Sequence, residues 1–336
     1  MKKDDIKVSI ICTAYNHEKF LRKCLEGFVM QKTNFKFEAI IHDDASTDGT
    51  KAIIQEFESK YPDIIVPIYQ KENQHSKKVR IMDDIMIPKA RGKYIALCEG
   101  DDYWCNENKL QLQYDFMESH PEFSACFTNT IFHDLRGIQK DRNYNNYTEL
   151  RIMTPYDAMN SGVTHTSTHF VRKEFSKKVE FGYKFPFGDF VRQTSYYLNG
   201  PMAILPDITS VYNAFNPNGM TNEVFSSKDP QYIINRVMEV KDYLDIYNEY
   251  TNFKYDTDIK FLYGEQIIGA YQYAIERCPE YKKRIQLYKN LRKEPTYLWY
   301  KKHIKGMKKL KEIIRGIIPL FLYDFIKQLR SRNGKQ

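Results

Sequence analysis

Glycine is scarce in this sequence, and glycine-rich phosphate loops are missing. Only 15 of the 336 residues are glycine. The sequence contains neither a Gly-x-Gly-x-x-Gly segment after its first strand-like run nor a Gly-x-x-x-x-Gly-Lys loop. Both loops hold phosphates on closely spaced backbone amides, so their absence disfavours a dinucleotide-dependent oxidoreductase and a P-loop nucleotidase. We expect that a metal ion would neutralise any pyrophosphate bound by this chain.

Paired cysteines and long apolar runs are also missing. The six cysteines include no Cys-x-x-Cys pair, which favours a reduced, cytoplasmic setting. No run of residues approaches the roughly 18 apolar residues that a transmembrane helix needs. Residues 1–5 lead directly into a strand-like run, so we expect no signal peptide.

Charge is distributed unevenly along the chain. Residues 281–336 contain 17 Lys and Arg against 3 Asp and Glu, whereas residues 1–280 contain 34 against 40. Within 301–330, apolar residues recur at steps of three and four with Lys and Arg between them, as in a basic amphipathic helix. This pattern predicts an anionic membrane surface as partner. The alternatives are that the apolar stripe packs on the body, or that the charge binds nucleic acid, which we do not expect because no recognition motif accompanies it.

Strand-like and helix-like segments alternate over residues 1–130. The strand-like runs are Val8–Cys12, Phe37–Ile41, Ile64–Tyr69 and Tyr94–Cys98. Alternation of this kind predicts an α/β fold in which a mostly parallel sheet carries helices on both faces. We assign residues 1–225 to one catalytic domain, with halves at about 1–130 and 131–225, and residues 226–336 to a C-terminal helical extension.

Three carboxylates lie close together just after the fourth predicted strand, at Glu99, Asp101 and Asp102. Like charges at a strand end repel one another and lose solvation, and a divalent cation relieves both costs. A cation held by one or two carboxylates keeps coordination positions free for substrate phosphates. A solvated acidic turn is the alternative for these residues. The segment from Asp44 to Gly49 has the start of a calcium loop, but Gln55 occupies the position that requires a bidentate glutamate.

Four segments in this order resemble glycosyltransferase family 2, whose members have the GT-A fold. They are Val8-Ser-Ile-Ile-Cys-Thr-Ala-Tyr-Asn16, Asp43-Asp-Ala-Ser-Thr-Asp-Gly-Thr50, Ala90-Arg-Gly-Lys-Tyr-Ile95 and Glu99-Gly-Asp-Asp-Tyr-Trp104. The resemblance covers about residues 1–225. The sequence departs from the family at Thr13, where proline is common, and at Glu99, where aspartate is common.

The resemblance implies roles for the residues of these segments. Ala14 and Tyr15 would line a nucleotide pocket, Asp43 would bind the base with Asp44 nearby, and Glu99 would lie near the ribose or sugar. Asp101 would hold Mn²⁺ or Mg²⁺, and Asp102 would support the sugar or the loop itself. Arg80 or Asn73 would contact the donor, and Trp104 would lie on the acceptor side.

Later segments extend the resemblance to the acceptor half. Phe185-Pro-Phe-Gly-Asp-Phe190 is similar to the family's Gly-Asp motif, which implies that Asp189 is the catalytic base. A helix cap is the alternative role for that aspartate. His165 and Thr166, in His-Thr-Ser-Thr-His169, are implied to face the acceptor, although a structural histidine is equally compatible. Segment 210–220 resembles the end of the fold, but Asn213 replaces a common arginine.

Together these features predict an inverting, metal-dependent glycosyltransferase. The resemblance implies a nucleotide diphosphate sugar, UDP-linked, as the donor and a hydroxyl of a saccharide or lipid-linked saccharide as the acceptor. It also implies a role in cell-surface polysaccharide synthesis. We expect the protein at the cytoplasmic face of the membrane. Two alternatives are a non-catalytic, membrane-associated assembly protein with this fold and a sugar-nucleotide pyrophosphorylase.

Overall fold

The computed structural model describes residues 5–160, 162–177, 179, 188–217, 227 and 229–304. The chain divides into two compact units, Met1–Phe225 and Ser226–Gln336. Three parts of the sequence predictions lie outside the described residues: 185–187 of the Gly-Asp motif, 218–220 at the predicted end of the fold, and the basic amphipathic segment beyond residue 304. Within the described ranges, none of the helices combines the length and apolar character needed to cross a membrane.

The first unit is built on a ten-stranded mixed sheet. Its strands are β1 (Ile6–Ala14), β2 (Lys36–Asp43), β3 (Ile65–Tyr69), β4 (Tyr94–Leu97), β5 (Tyr103–Trp104), β6 (Ala125–Asp134), β7 (Arg142–Asn143), β8 (Arg151–Ile152), β9 (Phe170–Arg172) and β10 (Met202–Ala214). The order is β3-β2-β1-β4-β9-β6-β10-β5, with β7 beside β6 and β8 beside β10.

The four predicted strands are parallel neighbours, as the sequence indicates. The sheet becomes mixed beyond them because β9 lies between β4 and β6 and runs antiparallel to both. The predicted α/β class with C-terminal helices is therefore confirmed, and the parallel arrangement is strictest in the first half of the unit.

Helices cover both faces of this sheet. They are α1 (Leu21–Val29), α2 (Thr50–Lys60), α3 (Lys109–Ser119), α4 (Pro155–Ala158) and α5 (Gly188–Tyr197). Side chains alternate across a strand, so Val8 and Ile10 of β1 join the core beneath α1, α2 and α3, whereas Ile11 joins the core with α4 and α5. The apolar residues of α1 recur at helical spacing, which buries Leu21, Leu25 and Phe28 completely.

The Ala-Arg-Gly segment before β4 is held against β1 and β2 by a buried network. Ser9 Oγ donates to Glu38 Oε1 over 2.7 Å, and the Arg91 guanidinium pairs with Glu38 at 2.6 Å. The Gly92 amide donates to Ser9 Oγ over 2.8 Å. A Cβ atom on Gly92 would lie 2.5 Å from the Ser9 backbone nitrogen, so this close approach requires glycine.

The second unit is helical in its described part. Its helices are α6 (Pro230–Tyr250), α7 (Asp256–Arg277), α8 (Tyr281–Leu291) and α9 (Pro295–His303). They share a core that includes Ile267 of α7, Leu287 of α8 and Tyr300 of α9. Gly264 lets α7 and α9 approach closely, because a Cβ atom there would lie 2.6 Å from the Tyr300 side chain.

Candidate active site

The ends of β1, β2 and β4 meet at one edge of the sheet, where ligands bind in open α/β folds. The Asp44 amide, just after β2, donates to the Ala14 carbonyl at the end of β1 over 3.0 Å. On the other side of β1, the Gly100 amide donates to the Thr13 carbonyl over 2.9 Å. These backbone bonds bring together the first two predicted site segments and the segment from Glu99 to Asp102, which we call the acidic segment.

The two neighbouring aspartates at the end of β2 have different surroundings. Asp43 is buried and its Oδ1 accepts from the Ser46 amide at 3.1 Å. Both carboxylate oxygens of Asp44 accept backbone amides, from Gln74 at 2.7 Å and His75 at 3.0 Å. Asp44 therefore anchors the segment after β3, and Asn73 lies in the same contact, donating to the Asp44 carbonyl at 3.3 Å.

The turn after β1 leaves one aromatic ring exposed. Tyr15 is 45 % exposed beside the buried Ala14. Asn16 adopts a left-handed backbone with φ of 54°, and its Oδ1 accepts from the Thr47 amide at 2.8 Å. This cross-link between the β1 and β2 turns fixes the backbone on either side of the Tyr15 ring.

The three carboxylates of the acidic segment have distinct environments. Burial raises the pKa of Glu99 to about 8, aided by the negative charges of Asp101 and then Asp189 and opposed by Arg192. Burial, followed by the charge of Asp101, also raises the pKa of Asp102 well above its usual range. Asp101 is less deeply buried than Asp102. The surrounding protein therefore stabilises the ionised forms of Glu99 and Asp102 poorly.

Two asparagines at the end of β10 close the acidic segment from the other side. The Asn213 amide donates to Asp102 Oδ1 at 2.9 Å, and its Nδ2 donates to the Asp101 carbonyl at 2.5 Å. Asn216 Nδ2 donates to Asp101 Oδ2 at 3.0 Å. From the sequence, Asn213 is only a departure from the family's common arginine, and Asn216 has no predicted role. Nothing in the spacing of either residue connects it to Asp101 or Asp102, which lie more than 100 positions earlier.

The acidic segment is compatible with a divalent cation. Carboxylate oxygens are the donors that Mg²⁺ and Mn²⁺ prefer. Burial, followed by the charges of Asp101 and Asp189, raises the pKa of Glu99, and a bound cation would favour its ionised form. Among the described residues, no three His, Cys, Asp or Glu side chains are grouped so as to hold a metal ion. Mg²⁺ commonly uses only one or two carboxylates together with substrate phosphates. Asp101 is the carboxylate of this set that fits that role.

Helix α5 brings a fourth carboxylate to the same region. Asp189 lies exposed in its first turn, and its charge contributes to the raised pKa of Glu99. One turn later, buried Arg192 forms an ion pair of 2.9 Å with buried Asp83 and donates to the Ser176 carbonyl at 2.7 Å. The ion pair ties the helix carrying Asp189 to a π-helical segment, Ile81–Met86, of the first half.

The His-Thr-Ser-Thr segment forms a tight turn next to Asp102. His165 Nε2 lies 3.8 Å from Asp102 Oδ2, and its ring stacks on Tyr212 with centroids 4.1 Å apart. Burial lowers the pKa of His165 to about 4. The Ser167 amide donates to Nδ1 at 3.3 Å and Ser167 Oγ lies 2.9 Å from the same atom, so Ser167 fixes the orientation of the ring. Thr166 is buried at the start of this turn.

Trp104, which the resemblance assigns to the acceptor side, is buried next to the turn that carries His165. Its side chain is 1 % exposed and packs edge-on against Phe28 at 4.8 Å. Its indole nitrogen donates to the Ser167 carbonyl at 2.9 Å. The large ring is more stable in the core, where its polar nitrogen is also satisfied. Trp104 thus orients the turn that carries His165 instead of facing a ligand.

Arg80, the remaining predicted donor contact, pairs with Asp84 at 2.8 Å on the surface. A cavity of about 300 Å³ is lined by residues of the β1 and β2 turns and by Asn216, the partner of Asp101. A larger cavity of about 540 Å³ lies at the opposite end of β4, beside Gly92 and Lys93, and none of the predicted site residues line it.

This chain is similar in sequence and in fold to known proteins. A putative glycosyltransferase of Bacillus subtilis, EpsE, is 33 % identical over 136 residues, which cover 40 % of this chain and 47 % of EpsE. The putative teichuronic acid biosynthesis glycosyltransferase TuaG of the same organism is 34 % identical over 123 residues, 37 % of this chain and 45 % of TuaG. An uncharacterized protein of Mycobacterium tuberculosis is 42 % identical over 134 residues, 40 % of this chain and 36 % of that protein. The matched segments thus span less than half of these relatives.

Among solved structures, residues 1–349 of TarS from S. aureus in complex with UDP-GlcNAc superpose with a TM-score of 0.50 at 18 % identity, covering 82 % of both chains. This similarity supports the GT-A fold. The model of glycosyl transferase family 2 matches residues 9–179. Since that range is just over half of the 336 residues, this chain belongs to glycosyl transferase family 2.

Proposed function

We propose that this chain is a metal-dependent, inverting glycosyltransferase of cell-surface polysaccharide synthesis. The donor would be a nucleotide diphosphate sugar, and the acceptor a hydroxyl of a saccharide or lipid-linked saccharide. The observation that carries the proposal is the Asp83–Arg192 ion pair, which holds the helix bearing Asp189 against the first half, near enough for the charge of Asp189 to act on Glu99. It brings a carboxylate from the acceptor half to the edge where a nucleotide would bind.

The nucleotide side of the proposed site is formed by the turns after β1 and β2. Tyr15 is exposed and available to stack on a base, and Asp43 is a buried acceptor for a base N–H. Asp44 holds the neighbouring loop in place. Arg80 is the candidate contact to the phosphates, in exchange for its pairing with Asp84. The UDP-GlcNAc of the TarS structure makes UDP-linked sugars the first donors to test.

Asp101 is the proposed ligand for Mn²⁺ or Mg²⁺, which when bound would stabilise the negative charge of the departing diphosphate. Asn216 orients the Asp101 carboxylate, and Asn213 holds the backbone of the same loop. Asp102 is buried, and its Oδ2 lies 3.8 Å from His165 Nε2. We therefore propose that Asp102 supports the acidic segment and the turn that carries His165.

Asp189 is the proposed base. It would remove the proton of the acceptor hydroxyl as that oxygen attacks the anomeric carbon, on the face opposite the departing diphosphate. The new glycosidic bond then has the inverted configuration, and the proton stays on Asp189 until solvent removes it. Exposure keeps Asp189 accessible to an incoming hydroxyl. His165 and Thr166 are the candidate contacts of the acceptor.

The Asp189→Asn variant tests the base directly. We expect nucleotide release in the presence of a saccharide acceptor to fall by roughly 10²- to 10⁴-fold, the usual contribution of a positioned base, while the Kd for the donor stays the same. Asp258→Asn is a matched control, because Asp258 also lies in the first turn of a helix but in the other unit. Near-wild-type turnover of the Asp189→Asn protein would remove Asp189 from the mechanism.

Lipid-linked acceptors would place the reaction at the cytoplasmic face of a membrane. The relatives EpsE and TuaG are named as putative glycosyltransferases, TuaG for teichuronic acid biosynthesis, and these names motivate a polymer or lipid-linked acceptor. If the purified protein binds UDP-sugars yet transfers to no saccharide or lipid-linked saccharide, a non-catalytic role in assembly replaces this proposal.

A further inference from the structure

The helical unit has strongly separated charges. Residues 229–280 contain five Lys and Arg against ten Asp and Glu, whereas residues 281–304 contain eight against one. The boundary falls between α7 and α8. An anionic surface is attracted by the charge of α8 and α9 and repelled by the charge of α6 and α7.

Helix α8 carries part of this charge on a single exposed face. Lys282 and Lys289 are seven residues apart, and Lys293 follows in the turn after the helix; spacings of seven and eleven residues return to nearly the same side of a helix. All three side chains are exposed. Leu287 and Leu291, on the opposite side, are buried in the core of the unit. We call Lys282, Lys289 and Lys293 the basic face.

The basic face is not neutralised within the described part of the chain. Lys283 of the same helix pairs with Glu280 at 2.6 Å, but no ion pair to a described carboxylate involves Lys282, Lys289 or Lys293. Uncompensated lysines held at the surface by a buried core repel one another. An external polyanion relieves this repulsion.

Helix α9 adds an apolar element to the charge. Leu298 is 51 % exposed, and Lys301 and Lys302 follow it at three and four residues, so they lie on the same side of the helix. An exposed leucine between lysines gains free energy at the boundary between lipid headgroups and acyl chains. It gains nothing from a nucleic-acid backbone.

We propose that the basic face, together with the exposed side of α9, docks on a bilayer that contains anionic lipid. The contact lies upstream of the amphipathic segment expected from the sequence, and it rests on helices whose inner sides are packed. It is independent of the proposed sugar transfer, since binding to vesicles requires neither donor nor acceptor.

Flotation of the full chain with phosphatidylcholine vesicles, with and without phosphatidylglycerol, tests the docking. We expect binding only when phosphatidylglycerol is present, and weaker binding as salt rises. The triple variant Lys282→Glu, Lys289→Glu, Lys293→Glu should lower the partition coefficient by at least about 100-fold, since each lysine near an anionic surface contributes about fivefold.

A matched triple variant, Lys36→Glu, Lys60→Glu, Lys140→Glu, changes the net charge equally at exposed lysines of the first unit. We expect it to change the partition coefficient by less than about threefold, because none of these lysines belongs to the basic face. Unchanged urea midpoints verify that both variants fold. Equal losses in the two triples, full binding by the basic-face triple, or binding to duplex DNA but not to vesicles would each overturn the proposal.

Discussion

Single buried side chains account for much of what the sequence pattern did not predict. Lys109, in the first turn of α3, has a fully buried ammonium group that donates to Gln113 and lies 4.7 Å from the Trp104 ring centroid. Gln113 in turn donates to the Thr168 carbonyl at 2.9 Å. Trp104, Lys109 and Gln113 therefore form a polar support beneath the turn that carries His165.

The titration of Lys109 should be visible in the stability of the protein. Burial lowers its pKa from 10.5 to about 8. Between these values the unfolded chain binds more protons than the folded chain, so the free energy of unfolding rises with pH. Relative to Lys109→Met, the wild type should gain about 3 kcal/mol from pH 7 to pH 11, estimated from the pKa difference.

Urea unfolding of both proteins across this pH range measures the gain. Subtracting the free energy of unfolding of Lys109→Met from that of the wild type removes the contribution of other titrating groups. Lys36→Met, at an exposed lysine, is the control and should show no such trend. A constant difference between the wild type and Lys109→Met would contradict the low pKa assigned to Lys109.

The elements of the first half could be predicted because their apolar spacing is regular. The parallel neighbours β1, β2 and β4 place Asp43 and the acidic segment at one edge, as adjacency of strand ends requires. The antiparallel β9 was not predictable, since three residues carry no clear periodic signal. The role of Asp189 was implied only by the family resemblance, because the packing of α5 decides where that carboxylate lies.

Substitution of Gly92 tests how tightly the segment before β4 is held against β1. Alanine at this position would place Cβ 2.5 Å from a backbone nitrogen, and backbone atoms cannot yield as a flexible side chain can. We expect Gly92→Ala to lower the free energy of unfolding by about 1–3 kcal/mol, the usual cost of overpacking. Urea denaturation of the purified variant provides the measurement.

Gly269, inside α7, is the contrasting position. A Cβ atom there would meet nothing within 4 Å. Gly269→Ala should therefore raise the free energy of unfolding by about 0.5–1 kcal/mol, because alanine loses less conformational entropy in a helix.

A Gly92→Ala protein as stable as the wild type would contradict the tight approach of the segment before β4 to β1.

At the scale of the whole molecule, the division near residue 225 and the helical character of the second unit follow the change in sequence pattern. The first unit has acidic residues at its strand ends, and the helical unit has a basic C-terminal part. Beyond their chemical classes, the identity of the donor sugar and that of the acceptor could not be predicted from the sequence. Both depend on the shape of the loops that connect regular elements.

The central claim is that the acidic strand ends bind a nucleotide diphosphate sugar together with a divalent cation. Thermal unfolding of the full chain with UDP, UDP-GlcNAc and other nucleotide diphosphate sugars, each with and without Mn²⁺, tests it most directly. A ligand at 100 times its Kd stabilises the folded state by about 2.7 kcal/mol. We predict a clear rise in Tm for a UDP-sugar with Mn²⁺ and little or none in Asp101→Asn. No rise with any nucleotide, in either condition, would contradict the claim.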